Sequence, residues 1–179
     1  MKDSVVKEHK MGNKKVCNFA IITVSTSRFE MYGSVLSPID AQDISGEKMA
    51  ELIRAEGHNV LQYSLVSDDM GSIIGALYEA VDSDADIIIT TGGTGLASTD
   101  VTIESVTPMF EKNIPGFGEL FRYKSIEQIG TSVILTRADA GLFKGKAIFC
   151  LPGSPAAVEL AVGEIILPET GHIIKHALQ

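Results

Sequence analysis

The chemistry-bearing residues of this chain fall in a few polar segments. The first is Thr91-Gly92-Gly93-Thr94-Gly95. Glycines leave backbone N–H groups uncovered and permit positive φ, so successive N–H groups can converge on an anion. A helix starting soon afterwards would add its positive end. That is a phosphate cradle; a tight strand-to-helix turn would need the same glycines, and spacing alone leaves both readings open. Pro152-Gly153-Ser154-Pro155 is a second segment of this kind, offering N–H groups and a hydroxyl. Pro115-Gly116-Phe117-Gly118-Glu119 is a third, at a helix entry.

Acids stand beside these segments. Asp68-Asp69 follow a strand-like run, and Asp100 follows the glycines. Bare carboxylates would repel a phosphate, but a magnesium ion reverses the sign, because it takes carboxylate and phosphate oxygens together. Asp69 and Asp100 also suit helix N-caps. Among the bases, Arg28, Lys112, Arg122, Lys124, Arg137, Lys144 and Lys146 lie near these segments. An arginine suits bidentate phosphate contact better than a lysine.

Other chemistries find less support. No Gly-Lys-Ser/Thr follows the glycines, so the Walker A pattern fails. Gly93-Thr-Gly95-Leu-Ala-Ser98 approaches the dinucleotide fingerprint, but Glu111-Lys112-Asn113-Ile114-Pro115 stands where a strand ending in an acid is needed. No nucleophile elbow and no HExxH motif occurs. His172 and His176 can share a helix face, yet spacing supplies no third zinc ligand. Cys17 and Cys150 each lie in an apolar run and read as small core residues in a reducing, cytoplasmic compartment.

Elements that position these segments alternate between strand-like and helix-like. Phe19 to Val24 and Ile87 to Ile89 are continuous apolar runs, typical of strands covered on both faces. Ser25 to Gln42 reads as a long polar connection. A helix is expected from about Ser45 to Glu56, stopped at Gly57, and another from Asp69 to Val81. Val60 to Val66 reads as a strand with Leu61, Tyr63 and Leu65 on one side. Helices are expected near Val101–Lys112 and Phe117–Gln128, strands near Val133–Thr136 and Ala147–Leu151, and a last helical region from Ala156. This alternation predicts a mostly parallel sheet with helices on both faces. Ligands of such sheets bind beyond the carboxyl ends of the strands. The segments from Ser25, Asp68, Thr91 and Pro152 emerge at those ends.

The 179 residues suit one domain. Lys2, Lys7, Lys10, Lys14 and Lys15 mark residues 1–15 as a basic, mobile arm ahead of a domain over 16–179. Acids number 23 against 15 bases, giving a net charge of −8. Such a field disfavours nucleic acid and anionic membranes as partners. Any anion must be gripped by a local device. No apolar run approaches the roughly 20 residues of a membrane span.

Taken in order, Thr90-Thr-Gly-Gly-Thr-Gly-Leu-Ala-Ser-Thr-Asp100-Val-Thr, Ile114-Pro-Gly-Phe-Gly-Glu-Leu-Phe-Arg122 and Leu151-Pro-Gly-Ser-Pro155 resemble the MogA/MoaB family of molybdenum-cofactor biosynthesis proteins, the MoaB branch above all. Asp43-Ile-Ser-Gly46, Glu127-Gln-Ile-Gly130, Thr136-Arg-Ala138 and Ile165-Ile-Leu-Pro-Glu169 extend the likeness. It implies a three-layer α/β/α domain that assembles as a trimer or hexamer. It implies Mg-ATP-dependent adenylylation of molybdopterin, or binding of the pterin without turnover. The adenylated pterin would pass to a metal-insertion enzyme. By this likeness Asp68 and Asp100 match the acids that serve magnesium-dependent nucleotide chemistry. Ser25, Gly92, Gly93, Thr94, Gly95, Pro152, Gly153, Ser154 and Pro155 match ligand-binding loops, with Gly116, Glu119 and Arg122 in the motif between them. The chain departs from the family where Ser98-Thr99 replace Pro-Arg before the acid and Ile103 replaces a proline after it.

Overall fold

The computed structural model describes residues 16–177. The basic arm expected over residues 1–15 lies outside them. Six strands form one sheet in the order β2-β1-β3-β6-β5-β4. They are β1 (Asn18–Val24), β2 (Asn59–Val66), β3 (Ile87–Thr91), β4 (Lys112–Asn113), β5 (Asp139–Phe143) and β6 (Lys146–Leu151). β2, β1, β3 and β6 run parallel, whereas β5 is antiparallel to β6 and β4 antiparallel to β5.

Side chains alternate across each strand, so a continuous apolar run fills both faces at once. Phe19 and Ile21 of β1, Ile87 and Ile89 of β3, and Phe149 of β6 point to one face. Helices α2 (Ile44–Ala55) and α5 (Pro115–Ile129) cover it, joined by the C-terminal helical region. Ala20, Ile22, Ile88 and Ile148 point to the other face, under α3 (Met70–Asp82) and α4 (Thr102–Val106). Each fully buried isoleucine contributes about 1.5–3 kcal/mol by leaving water. The result is the expected three-layer α/β/α architecture.

Several local expectations need correction. The connection after β1 holds a short helix, α1 (Thr26–Tyr32), closed by Gly33 at φ 67°. Leu61 does not join Tyr63 and Leu65 inside; it is 49% exposed because the β1–β2 register slips between Phe19 and Ala20. The helix expected to reach Lys112 ends as α4 and a 3₁₀ turn over Thr107–Met109, with Pro108 in that turn, and Lys112–Asn113 pair as a strand. Residues Gly130–Leu135 form a 3₁₀ helix, not the strand expected near Val133–Thr136. The strand there is β5, which has no β-branched residue. It is held by ladders on both sides, and its Gly141 lies so close to Phe110 that a Cβ would collide with the ring.

The C-terminal region runs as α6 (Pro155–Val158), a π-helical stretch over Glu159–Ile166, and α7 (Leu167–Ala177). Pro168 lacks the N–H that a regular ladder needs there, so the helical pitch changes just ahead of it.

Candidate active site

Strand order reverses at β1: the chain goes from β1 out to β2, then returns to lay β3 on the other side. At such a switch point the loops leaving neighbouring strands diverge and open a crevice. Four loops leave the sheet at this rim, after β1, β2, β3 and β6.

The glycine loop after β3 is tied to its neighbours by close backbone approach. Gly92 and Gly93 have φ of 95° and 61°, a conformation in which any side chain is strained. A Cβ on Gly92 would strike the carbonyl of Val24 at the end of β1. The N–H of Gly92 donates to the carbonyl of Leu151 on the other side (3.1 Å). The Thr91 hydroxyl donates to the Pro152 carbonyl (3.2 Å), and Gly153 is close enough that its Cβ would lie 3.3 Å from the Cα of Gly92. The Ser45 hydroxyl, at the start of α2, donates to the Gly153 carbonyl at 2.7 Å. The loop after β3 and the loop after β6 are therefore one packed unit.

Both acids flank that unit. A Cβ on Gly93 would lie 2.7 Å from Oδ1 of Asp68, and one on Gly95 would lie 2.6 Å from Oδ2 of Asp100. Asp68 accepts from the N–H of Val101 (3.2 Å), and its own N–H donates to the Thr26 hydroxyl (3.0 Å). Partial burial raises the Asp68 pKa above the ordinary carboxylate range, against the pull of the Val101 N–H; the charges of Asp100 and Asp69 raise it further. Asp69 caps α3 by accepting from Ser72, but Asp100 is not a helix cap. Val101 holds that position, and Asp100 instead accepts from the Ala97 N–H (3.0 Å), closing the loop on itself.

The remaining sequence candidates divide. Ser25 sits at the rim, its N–H donating to Val66 at 2.9 Å. Ser154 caps α6 by accepting from Ala157 (3.2 Å), with Pro155 in the first helical position. Thr94 is buried within the glycine loop. Among the described residues Arg122 donates to the Ala138 carbonyl alone (3.4 Å), and Glu119 is exposed on α5. Gly116 lies elsewhere, on the wall of an apolar groove of about 390 Å³ with Phe117, Leu120, Ile165 and Ile173.

Sequence reading named Thr91 and Arg137 without saying what they hold, and gave Ser45 no role at the site. Ser45 and Thr91 act through hydroxyl-to-carbonyl bonds spanning distant segments. Arg137 stands just ahead of β5 and donates to the carbonyls of Thr94 (2.9 Å) and Gly95 (2.6 Å), with Glu104 paired behind it. Thr136-Arg-Ala138 was the available signal, but nothing local says where the arginine reaches.

Chemically, the rim offers glycine-loop N–H groups of Gly93, Thr94, Gly95 and Leu96 that donate to no protein acceptor among the described residues. Two carboxylates stand next to them. No cluster of three or more His, Cys, Asp or Glu side chains able to hold a metal occurs among the described residues. Two carboxylates without a closed cage still suit magnesium, which keeps waters and shares phosphate oxygens. No helix among the described residues is long and apolar enough to cross a membrane.

An α/β sheet with anion-ready glycine turns and paired acids at its switch point defines a class of phosphate-ligand proteins. Comparison with known proteins narrows the class. Residues 20–172 match the family described as a probable molybdopterin binding domain, and the chain belongs to that family. It is 42% identical to the molybdopterin adenylyltransferase of Pyrococcus furiosus, over 96% of this chain and 98% of the relative. It is 38% identical to molybdenum cofactor biosynthesis protein B of Bacillus subtilis, covering 95% of each. Among solved structures, the tungsten cofactor synthesizing protein MoaB of Pyrococcus furiosus superposes with a TM-score of 0.80 at 40% identity, over 92% of this chain and 99% of that one.

Proposed function

We propose that this chain is a molybdopterin adenylyltransferase of molybdenum-cofactor biosynthesis. An oxygen of the terminal phosphate of molybdopterin attacks the α-phosphorus of ATP. The bond from that phosphorus to the bridging oxygen breaks, and pyrophosphate leaves with the bond's electron pair. The observation that carries this reading is the placement of Asp68 and Asp100 against the glycine loop at the switch point.

Such a transfer asks for positioning and charge neutralisation, not for a protein nucleophile. The residues supply both. Free N–H groups of Gly93 to Leu96 orient phosphate oxygens, and Gly153 with Ser154 extends the same wall. Asp68 and Asp100 would hold magnesium, whose charge offsets the phosphates and the two acids together. Partial burial raises the Asp68 pKa and the neighbouring Asp100 and Asp69 charges add to it, so a cation between the acids would relieve both. Ser25 and the Ser67–Asp68 turn border the crevice from the β1 and β2 side.

Pyrophosphate release on mixing the protein with ATP, magnesium and molybdopterin tests this reading. The exposed Ser98-Thr99 ahead of Asp100 favours a second one, in which the protein binds molybdopterin without turning it over. Binding without pyrophosphate release would establish that alternative.

The same reading places the protein in the cytoplasm, delivering adenylated pterin to a metal-insertion enzyme. Leu120, Tyr123 and Ile126 are 42%, 73% and 50% exposed on the outer side of α5. That apolar side supports a homo-oligomer, a trimer or hexamer, which light scattering would measure.

A further inference from the structure

We infer that Arg137 is a positioning residue that sets the direction of the glycine-loop amides and holds the backbone of Asp100. This rests on the proposed adenylyltransferase reading for its kinetic consequence, but not for its structural one.

The guanidinium carries five N–H donors in a rigid fork. Nε donates to the Thr94 carbonyl at 2.9 Å, and Nη2 to the Gly95 carbonyl at 2.6 Å, with a longer contact of 3.4 Å to the Asp100 carbonyl. Nη1 and Nη2 both reach the Glu104 carboxylate on α4. One side chain therefore grips both ends of the loop that carries Gly95 and Asp100, and it is itself held by the helix that follows.

In a trans peptide the carbonyl of one residue and the N–H of the next point in opposite directions. Turning the Thr94 and Gly95 carbonyls toward Arg137 turns the N–H groups of Gly95 and Leu96 away from it. Neither of those N–H groups has a protein acceptor among the described residues. Without the guanidinium, glycine's conformational freedom would let these peptide planes rotate. Among the described residues, Ser98 and Thr99 make no hydrogen bond to the loop; Thr102 holds the Gly92 and Gly93 carbonyls, and Arg137 holds those of Thr94 and Gly95.

A lysine cannot reproduce the arrangement, because an ammonium is a point charge without the fork. Arg137→Ala and Arg137→Lys should both speed hydrogen exchange within residues 92–101 on the order of tenfold, read at the bonded amides of Ala97, Asp100 and Val101, leaving β1 protected. Each should lower kcat for pyrophosphate release by about a hundredfold, the usual result of displacing a substrate-positioning element by an ångström. Free guanidinium ion should restore part of the activity of Arg137→Ala and none of that of Arg137→Lys. Unchanged exchange in 92–101, or an Arg137→Lys variant equal to the parent, would overturn the inference. If Arg137→Ala does not fold, Glu104→Gln decides: faster exchange confined to the same segment supports the assignment, and unchanged exchange rejects it. A parent protein that releases no pyrophosphate defeats the enzyme reading alone, since hydrogen exchange still tests the tether.

Discussion

The Ser45 hydroxyl lies 2.7 Å from the carbonyl oxygen of Gly153, linking positions 108 apart in sequence. Ser45 is buried at the start of α2, and Gly153 packs on Gly92. One hydroxyl thus connects a helix to the joint between two rim loops. Replacing it leaves a carbonyl short of a partner, which costs about 1–3 kcal/mol. Ser45→Ala should lower the midpoint of urea denaturation accordingly and raise KM for molybdopterin, while Ser45→Thr should recover part of both.

The two acids separate binding from turnover. Asp100→Asn should abolish pyrophosphate release while leaving pterin binding, followed by fluorescence, largely intact. On the proposed reading Asp100 helps hold magnesium, and removing a metal-holding carboxylate costs transition-state stabilisation more than ground-state binding. Asp68→Ala should weaken the use of magnesium-ATP in the same assay. Near-normal turnover in Asp100→Asn would reduce that residue to its loop-closing bond with Ala97.

Glycines in this chain are not equivalent. Gly93→Ala combines a φ of 61° with a Cβ set against Thr102 and Asp68, so it should cost more than about 1 kcal/mol and disable the site. Gly75→Ala on the exposed side of α3 meets nothing within 4 Å. It should stabilise by about 0.5–1 kcal/mol, the helix-propensity difference between the two residues. Thermal denaturation of the pair gives opposite signs if the geometry is right.

Glu104 gives the Arg137 tether a pH dependence. Its hydrogen bonds with Arg137 hold the carboxyl below the ordinary glutamate range. Their contribution is complete above that ordinary range and is lost as pH falls through the lowered native value. Loop exchange, corrected for its intrinsic pH dependence, should therefore accelerate only in acid. Glu104→Gln should remove the acid transition.

Burial pushes the Cys150 thiol up to about 12, and Cys17, just ahead of β1, is fully buried against the other face of the sheet. Thiolate is the reactive form, so neither cysteine should be alkylated by iodoacetamide at about pH 8 until the protein unfolds. Labelling of the native protein at the rate of a free thiol would contradict the packing of β1 and β6.

Continuous apolar runs made β1 and β3 legible, because a strand covered on both faces leaves that trace in any sequence. The rim loops were legible too, since glycine and proline mark where the backbone must turn. What escaped notice depends on partners far along the chain. Asp139-Ala-Gly-Leu-Phe143 becomes a strand through the ladders on either side, not through its own propensity. Val133 to Thr136 has the opposite character: its β-branched residues suggest a strand, but it falls largely within a 3₁₀ helix. Asp100 has a cap's residue type and sits next to a helix, yet its oxygen is already taken by Ala97. The reach of Arg137 could not be read from neighbours at all, because its partners lie more than 30 positions upstream.

The β5–β6 hairpin turns at Lys144 and Gly145, whose φ values are 48° and 73°. Because β5 runs against β6, this bend sits at the opposite pole of the sheet from the crevice, while Arg137 is carried back to the crevice itself. The bend is accordingly a port for engineering. Affinity tags, fluorophore-bearing inserts or new chain ends placed there would approach the protein from its blind side.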